Sequence, residues 1–548
     1  MILTDIRTSS EIPFIPLNEE PLLEVEQIQG NILGGFNKDF QQFLFFEIVD
    51  PVKVKKWLQL IIPQVKISTA KEVVTFNRLY KTMYSKIGSE PKGVIASWVN
   101  IAFSFQGLKK LVPDESMKDF SKRSPFVQGM QSSAGILGDP IRDEAAEGNP
   151  KNWVLGGERN SPEILLLIAS DSESELNRIV EEIKNTVVDS GSSVNNGLKL
   201  VYEEAGRVRP DLPGHEHFGF RDGISQPGVR GLFSTAPGDT LTKRWIEPTD
   251  KAFQTDAEPG EKLIWPGEFV FGYAKQNDLS SEPTVVEESE LPNYGVPVWA
   301  KNGSFLVVRR LRQDVEGFWK FLSEKAAEVN LSAELLGAKM VGRWPLGAPI
   351  MRSPKEDNAQ LAKDDHANNN FLYESDTPEV KLQTHLKYSD PFLKAKSDIA
   401  GNVCPFSAHI RKVNPRDFQT DAGPSSIRRI LRRGIPFGPP LKIDPKNPTA
   451  SLTEDAAKGN RGLMFLCYQT DIKRQFEFIS QSWANNKEQP HGSGGQDPII
   501  GQNDEENRVR QFTYEPNKSF DIMKEFVIPT GGEYYFQPSI NALENIIS

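Results

Sequence analysis

The chain has 548 residues, 38% hydrophobic and 25% charged, a balance typical of globular proteins and unlike disordered, collagen-like or coiled-coil chains. Its 64 Lys and Arg residues and 74 Asp and Glu residues leave a net charge of −10, which argues against a dedicated nucleic-acid-binding protein. Cys404 and Cys467 are the only cysteines, so the sequence excludes a disulfide framework and a cysteine-rich zinc site.

Strands and helices are both predicted along the first half of the chain. Residues 1–24 are polar with interspersed prolines and are interpreted as an N-terminal arm. Helical spacing in 52–65 places four large apolar residues on one face, and a second amphipathic helix is predicted over 172–188. Runs of β-forming apolar residues predict strands at 43–49, 96–105, 163–169 and 198–204.

The second half repeats this mixture after a stretch rich in Pro, Gly, Asp and Glu at 235–296, which is interpreted as a long connection. The predicted strands are 304–313 and 462–470, the predicted helices are 315–329 and 472–483, and 484–510 is rich in loops. The similar strand-then-helix units suggest a duplication, although no residue-level repeat is present. The alternation predicts a layered α+β or α/β fold.

The N-terminal sequence lacks the basic start, long apolar core and twin-arginine pair of an export signal. The longest apolar run, ILLLIA at 164–169, is far shorter than the roughly 20 residues that a membrane-spanning helix needs. We therefore expect a cytoplasmic protein that does not associate with membranes.

The first segment that could carry chemistry is GHEHFGFRDGISQPGV at 214–229, which surrounds Asp222 with Gly219, Gly223 and Gly228. Glycines beside an acid allow the backbone to approach a ligand closely. The alternative is a tight turn in which Asp222 caps a helix or bonds to its own backbone.

The second segment is CPFSAHIRKVNPRDF at 404–418, where His409 is followed by Arg411, Lys412 and Arg416. The cations are expected to disfavour protonation of His409, which would keep a neutral imidazole available to a metal. They also suit the carboxylates of an anionic cofactor. The alternatives are a histidine satisfied in the core and a solvated basic face.

The third segment is IRRILRRGIPFGPP at 427–440, which has four arginines within six residues. An arginine directed into a closed pocket could stabilise developing negative charge. The alternative is a basic helix end at the surface, near its own C-terminal dipole.

These segments together resemble the dye-decolorizing peroxidase family. The resemblance is carried by QGNILGGFNKDFQQFLFF, FGFRDGISQP, AHIRKVNPR, LRRGIPFG and GLMFLCYQ, which follow each other in the family's order from about Gln29 to the C-terminus. Its most specific element is the GxxDG motif from Gly219 to Gly223, because the histidine and arginine motifs follow it in order. The length resembles the larger subclass of the family.

The resemblance implies an α+β fold of two ferredoxin-like halves, each an antiparallel sheet with packed helices, and a haem in the second half. The implied division is an arm at 1–24, a first domain at 25–240 that carries GxxDG, and a second domain at 241–548 with loop insertions. The implied cofactor is haem b, and the absence of a CxxCH motif agrees with non-covalent binding.

The resemblance also implies roles for particular residues. His409 would be the axial ligand of the haem iron, and Asp222 would lie on the opposite, distal face. Arg432 would be the distal arginine, with its neighbour Arg433 as the alternative register. Arg411 matches a basic position that can pair with a haem propionate.

Further implied residues shape the two sides of the haem. Leu463 and Phe465, on one face of their strand, would control access to the distal cavity. An acid is expected to accept the second ring N–H of His409. Asp497 fits that place, and Asp471 is the competitor, although its position also suits the N-cap of the following helix.

The implied activity is the oxidation of dyes, phenols and other aromatic reductants by hydrogen peroxide, with Asp222 moving the proton and Arg432 lowering its pKa. An ionised aspartate implies activity at acidic pH. A haem carrier or dechelating protein of the same fold is the alternative, and a non-haem binding module with His409 in the core is a second one. The physiological reductant and the oligomeric state are not indicated by the sequence.

Overall fold

The computed structural model describes residues 20–89, 91, 93–187, 196–236, 238–244, 255–280, 282–365, 367–377, 395–418, 420, 423–451, 459–492, 494–503 and 508–548. Within these ranges no helix is both long enough and apolar enough to cross a membrane. Most of the predicted arm at 1–24 lies outside the described residues. Its last part is packed, because Leu23 is buried and donates its N–H to the Leu232 carbonyl at 3.0 Å.

Each predicted strand is present, with ends within three residues of the predicted ones. The strands are β1 (Phe40–Ile48), β2 (Ser97–Ser104), β3 (Ile164–Ser170), β4 (Leu198–Arg207), β5 (Gly228–Val229), β6 (Leu263–Ile264), β7 (Ser304–Gln313), β8 (Leu431–Arg432), β9 (Ile435–Phe437), β10 (Gly462–Gln469), β11 (Arg510–Glu515), β12 (Lys518–Ile522) and β13 (Val527–Gln537).

The α-helices are α1 (Gly30–Leu33), α2 (Pro51–Val65), α3 (Ala70–Ile87), α4 (Phe105–Leu111), α5 (Asp114–Met117), α6 (Pro125–Gln128), α7 (Met130–Ser133), α8 (Glu173–Val187), α9 (Val315–Glu328), α10 (Ala333–Val341), α11 (Ala359–Lys363), α12 (His409–Val413), α13 (Pro448–Ser451) and α14 (Ile540–Ala542). The helix predicted over 472–483 is present as two π-helical segments, Lys473–Glu477 and Ile479–Ala484. Helix α3 was not predicted, although Thr69 and Glu72 form a capping box at its start.

The two halves have the same strand order. In the first half the antiparallel order is β4–β1–β3–β2, and in the second it is β9–β10–β7–β13 in the matching positions. Helix α2 packs the predicted face against the first sheet and is joined to α8 by a hydrogen bond from Trp57 Nε1 to Thr186 Oγ1 at 2.8 Å. The predicted α+β class is confirmed.

The two sheets close into one barrel. Strand β13 pairs with β2 through Tyr535–Ser104 and Phe536–Phe103, and β4 pairs with β9 through Gly206–Phe437. Because β7 also pairs with β10, the ring of strands has no open edge between the halves. The long strands β1–β4, β7, β10 and β13 of the predicted domains 25–240 and 241–548 therefore share one sheet, whereas β5–β6 and β11–β12 form two small separate sheets.

Side chains alternate between the two faces of each strand, and they thereby form two separate apolar clusters. Phe43 and Phe45 of β1 lie in the cluster inside the barrel, whereas Leu44 and Phe46 lie in the cluster under the outer helices. Strand β1 is buried on both faces, which explains its continuous apolar run.

Candidate active site

A cavity of about 280 Å³ lies against the outer face of β7 and β10. On β10, Leu463 and Phe465 line the cavity, whereas Met464 and Leu466 alternate with them and belong to the cluster inside the barrel. The predicted residues that line the cavity are Asp222, His409, Arg432, Leu463 and Phe465. The tertiary structure thus brings residues separated by more than 200 positions to one site.

The GxxDG segment forms a turn that presents Asp222 to the cavity. Gly219 and Gly223 have φ values of +92° and +78°, a region that glycine adopts without a Cβ penalty. The Glu216 carboxylate accepts the backbone N–H groups of Phe218 at 2.7 Å and Phe220 at 2.9 Å, and so holds the turn. Burial raises the pKa of Glu216 to about 7.

Asp222 and Arg432 form an ion pair on the cavity wall. The Arg432 Nη1 donates to Asp222 Oδ1 at 2.8 Å, and its Nη2 donates to the Ser225 carbonyl at 2.8 Å. The side chain of Gln226 brackets the Arg432 backbone, because it donates to the carbonyl at 3.1 Å and accepts from the N–H at 3.3 Å. Sequence reasoning missed Gln226, whose only signal is its place three residues after the GxxDG glycine.

The ion pair determines the protonation of Asp222. Burial alone would raise the pKa of this carboxyl group, but the Arg432 guanidinium and the Gly223 N–H at 2.6 Å lower it below its ordinary value. The side chain is 43% exposed, and this exposed part faces the cavity. The ion pair therefore favours the ionised form of Asp222, and the exposed part of its carboxylate contacts the cavity.

The neighbouring arginine has a different task. Arg433 donates to the carbonyls of Asn31 at 3.0 Å, Ile32 at 3.2 Å and Leu33 at 3.0 Å, and it does not line the cavity. Its guanidinium holds helix α1 against the barrel. Of the two neighbouring arginines, Arg432 is therefore the one that lines the cavity.

His409 is the first residue of the short helix α12 and reaches the cavity from another direction. Its Nδ1 hydrogen-bonds to Asp497 Oδ2 at 2.7 Å, and the Asp497 side chain is completely buried. The other carboxylate oxygen accepts the N–H groups of Ile499 at 2.8 Å and Ile500 at 3.0 Å. Asp497 is thus fixed, and it orients the imidazole so that Nε2 is free of any partner among the described residues.

The competing acid does not approach His409. Asp471 Oδ1 accepts the backbone N–H of Arg474 at 2.9 Å, as expected of a residue that caps the helical segment after β10. Of the two acids, the geometry brings Asp497 to the histidine.

The prediction that the basic neighbours disfavour protonation of His409 is wrong. Burial would lower the pKa of His409, but the carboxylate of Asp497 outweighs burial, and the pKa is raised. None of these three cations is among the main influences on the pKa of His409: Arg411 and Lys412 donate to other groups, and Arg416 lines the cavity but donates to Asn369 Oδ1. Nor do they form a solvated face, because Arg411 and Lys412 are both buried.

Arg411 does not lie where the propionate role requires it. Its guanidinium is fully buried and donates to the Cys404 carbonyl at 2.8 Å and to Asp398 Oδ2 at 3.3 Å. It stacks 4.5 Å from the Tyr373 ring and does not line the cavity. Side chains at nearby positions of a short helix point in different directions, so His409 faces the cavity whereas Arg411 faces the core.

Six other arginines line the cavity: Arg221, Arg309, Arg343, Arg416, Arg428 and Arg429. The sequence had linked Arg416 to an anionic cofactor and had placed Arg428 and Arg429 in the arginine-rich segment, whereas the other three were not singled out. Arg309 pairs with Asp139 at 2.6 Å, and Arg343 and Arg416 donate to Asn369 Oδ1 at 3.2 and 2.6 Å. Arg429 donates no hydrogen bond to any residue that the structure describes. Burial, together with Arg416 and Arg432, lowers its pKa to about 9.

Two family models match the chain: "DyP dimeric alpha+beta barrel domain" over residues 27–210 and "Dyp-type peroxidase, C-terminal" over residues 277–491. The chain belongs to the dye-decolorizing peroxidase family. It is an enzyme of that family, and the barrel described above is consistent with the first of these descriptions.

Relatives of this dye-decolorizing peroxidase are similar over nearly the whole chain. Peroxidase 2 of Mycetinis scorodonius is 33% identical, over 96% of this chain and 88% of the relative. The structure of an ancestral D-type dye-decolorizing peroxidase has a TM-score of 0.71 and 34% identity, over 96% of this chain and all of that one. A dye-decolorizing peroxidase in complex with 2,6-dimethoxyphenol has a TM-score of 0.68 and 30% identity, with the same coverage.

Peroxidases of this family depend on haem, and the cavity residues fit that group. His409 offers one ring nitrogen to which no described residue bonds, and a carboxylate fixes the other nitrogen. The wall combines apolar side chains with an arginine, Arg429, that lacks a hydrogen-bond partner among the described residues. An apolar macrocycle with two carboxylates matches both the apolar wall and the cationic side.

Proposed function

We propose that the chain binds haem b non-covalently through His409 and uses hydrogen peroxide to oxidise dyes, phenols and other aromatic compounds. One observation carries this proposal: the His409–Asp497 pair and the Asp222–Arg432 pair line or adjoin the same cavity. When bound, haem supplies an iron that exchanges electrons with peroxide.

The cysteines support non-covalent binding. Cys404 and Cys467 are both completely buried, and neither lines the cavity. A haem attached through thioether bonds needs cysteines at the cofactor's edge, and these two cannot reach it.

Asp222 is the proposed proton carrier, and its Oδ2 is the atom that would accept and release the proton. Its Oδ1 already accepts hydrogen bonds from Gly223 and Arg432, whereas no donor among the described residues binds Oδ2. Oδ2 can therefore accept a proton from one peroxide oxygen and return it to the other, directly or through a water molecule.

Arg432 and Asp497 have separate electrostatic tasks. The Arg432 guanidinium is a permanent cation beside Asp222, so it stabilises negative charge that develops on the departing oxygen. Asp497 holds His409 in the tautomer with the proton on Nδ1 and makes Nε2 a stronger donor to a metal.

Arg429 is the residue that we assign to a haem carboxylate, in place of Arg411. Its guanidinium is partly buried and lines the cavity without a hydrogen-bond partner among the described residues, and burial lowers its pKa despite the charge of Glu261. A partly desolvated cation of this kind is costly unless it is paired. A propionate would supply that pairing.

The proposed reductants are aromatic compounds. The relative crystallised with 2,6-dimethoxyphenol supports a phenolic substrate class. Haem would occupy much of the cavity of about 280 Å³, so bulky dyes are not expected to enter the space that remains, and we propose that they donate electrons from outside it.

Absorption spectra of haem-reconstituted wild type, His409→Ala and Asp222→Asn, before and after one equivalent of peroxide, test the proposal. We expect a Soret band in the wild type that responds to peroxide, and a weakened or displaced band in His409→Ala. Asp222→Asn should bind haem normally and react with peroxide roughly 100- to 10,000-fold more slowly.

Two results would contradict the proposal. Haem uptake without a peroxide response would favour the carrier or dechelating alternative. A folded protein with no Soret band would leave only the fold in common with the family.

A further inference from the structure

Lys412 is a buried lysine whose ammonium group donates three hydrogen bonds. It lies on α12 three residues after His409, and 1% of it is exposed. Its Nζ donates to the carbonyls of Asn486 at 2.7 Å and Gly495 at 2.6 Å and also to that of Gln489. All three donors of the ammonium group therefore have partners.

The three carbonyls belong to the segment that delivers Asp497. They lie between residues 486 and 495, and Asp497 follows two residues later. The base of the segment is closed by the Asp497 N–H, which donates to the Ala484 carbonyl at 2.8 Å. Lys412 is thus a cross-link between the helix of His409 and the loop of its acid.

A hydrophobic residue would fill this space at a lower free-energy cost, because a buried ammonium group loses its hydration. Burial indeed lowers the pKa of Lys412 to about 7, against the opposing effect of Asp497. The side chain bonds only to the backbone of one loop, so packing alone does not account for it.

We propose that Lys412 is a positioning residue that holds the 486–497 loop against α12 and so keeps Asp497 Oδ2 on His409 Nδ1. This inference rests on the proposed role of His409 as the haem ligand. Lys412 itself does not line the cavity.

The chain offers a matched control in Lys339. This lysine is also buried, and its Nζ donates to the carbonyls of Asn402 at 2.9 Å and Tyr514 at 3.2 Å. Neither carbonyl lies in the 486–497 loop. Lys339→Met therefore removes a buried ammonium of the same kind without touching the cross-link.

The first measurement uses the protein without haem. In nuclear magnetic resonance spectra of ¹⁵N-histidine-labelled wild type, the hydrogen-bonded Nδ1–H of His409 should give a far-downfield proton, identified by its absence in His409→Ala. We expect this proton to be lost or shifted upfield in Lys412→Met and retained in Lys339→Met. An unchanged resonance in folded Lys412→Met would overturn the inference.

The second measurement uses the haem-loaded protein. Lys412→Met should release haem about tenfold faster and shift the ferric/ferrous reduction potential to a more positive value, because a less strongly oriented acid makes His409 a weaker donor. Lys339→Met should match the wild type in both. Equal values in Lys412→Met and wild type would overturn the inference.

Two further variants keep the test decisive. If Lys412→Met does not fold, Lys412→Gln retains two N–H donors and should give smaller changes in the same direction. In an Asp497→Asn background, Lys412→Met should add little, and an undiminished effect there would show that Lys412 does not act through Asp497. Failure of the wild type to bind haem would contradict the proposed function, whereas the resonance in the haem-free protein would still test the cross-link.

Discussion

The two aspartates of the site are held in opposite environments, and this difference assigns their tasks. Asp222 is 43% exposed to the cavity and is paired with a permanent cation. Asp497 is completely buried, and three donors occupy its two oxygens. The first can exchange a proton with a small molecule, whereas the second can only orient its neighbour.

The pH dependence of the peroxide reaction should follow the pKa of Asp222. Asp222 accepts a proton only when it is ionised, so activity is lost as the pH falls through its pKa. Removing the charge of Arg432 raises that pKa, because burial is then opposed only by the weaker effects of the Gly223 N–H bond and of His409. In Arg432→Leu we expect the acidic limb of kcat/KM for peroxide to move up by roughly one to two pH units.

Stopped-flow rates between pH 2.5 and 7 measure this limb. The absolute rate of Arg432→Leu should also fall, because the variant lacks the cation near the departing oxygen. Asp222→Asn is the control, since it has no carboxyl group at this position and should show no such limb. An acidic limb at the wild-type pH in Arg432→Leu would contradict the assignment.

At the scale of elements, the site is built on short segments that other side chains hold in place. Helix α12 has five residues and β8 has two. Glu216 holds the GxxDG turn, Gln226 holds β8, and Lys412 holds the loop of Asp497. Short elements have few backbone hydrogen bonds of their own, so these side chains supply the rigidity that the site needs.

The GxxDG turn can be tested with two equivalent glycines. Gly223 and Gly88 have φ values of +78° and +72°, and a Cβ at either position would meet no atom within 4 Å. Each Gly→Ala change should therefore lower the free energy of unfolding by about 1 to 2 kcal/mol through backbone strain alone. Gly88→Ala, at the end of α3, should leave the peroxide reaction unchanged.

Gly223→Ala should in addition slow the peroxide reaction, because relief of the strain moves the adjacent Asp222 away from Arg432. Thermal unfolding gives the stability, and stopped-flow mixing gives the rate. Equal peroxide rates in the two variants would mean that the turn conformation does not position Asp222.

At the scale of the whole molecule, closure of the barrel joins the halves, and a buried ion pair crosses between them. Asp139, from the loop after α7, is completely buried and pairs with Arg309 of β7 at 2.6 and 3.1 Å. Burial raises the pKa of Asp139 even though Arg309 lies beside it. The cost of desolvation therefore exceeds what the pairing returns to this carboxylate.

This imbalance predicts that removing one charge of the pair destabilises the protein more than removing both. Asp139→Ala leaves the charge of Arg309 buried without its partner and should destabilise the protein by about 3 to 5 kcal/mol. The double variant Asp139→Leu/Arg309→Met removes both charges and should unfold at a higher temperature than Asp139→Ala. Glu175→Ala, which breaks the exposed pair of Glu175 with Arg178, should leave the midpoint of thermal unfolding unchanged.

Differential scanning calorimetry of the three variants gives these midpoints. A double variant that is less stable than Asp139→Ala would show that the ion pair stabilises the junction between the halves.

The sequence could predict what local patterns encode. Strand β7 was predicted at its observed bounds, because its ten residues are a continuous β-forming run. Strand β13 escaped prediction, because Pro529, Gly531 and Gly532 interrupt it and the register shifts there. Yet β13 forms one of the two junctions between the sheets, through its pairing with β2.

By itself the sequence determined the order of the motifs, a layered fold of mixed strands and helices and the residue types that the site needs, because these depend on neighbouring positions along the chain; the α+β class came from the family resemblance that those motifs carry. Only the tertiary structure decided that Arg411 points into the core, that Arg429 faces the cavity without a hydrogen-bond partner among the described residues, and that Asp497 meets His409 across 88 positions. The direction of a side chain from a short element is fixed by what packs around it, and those neighbours come from distant parts of the chain.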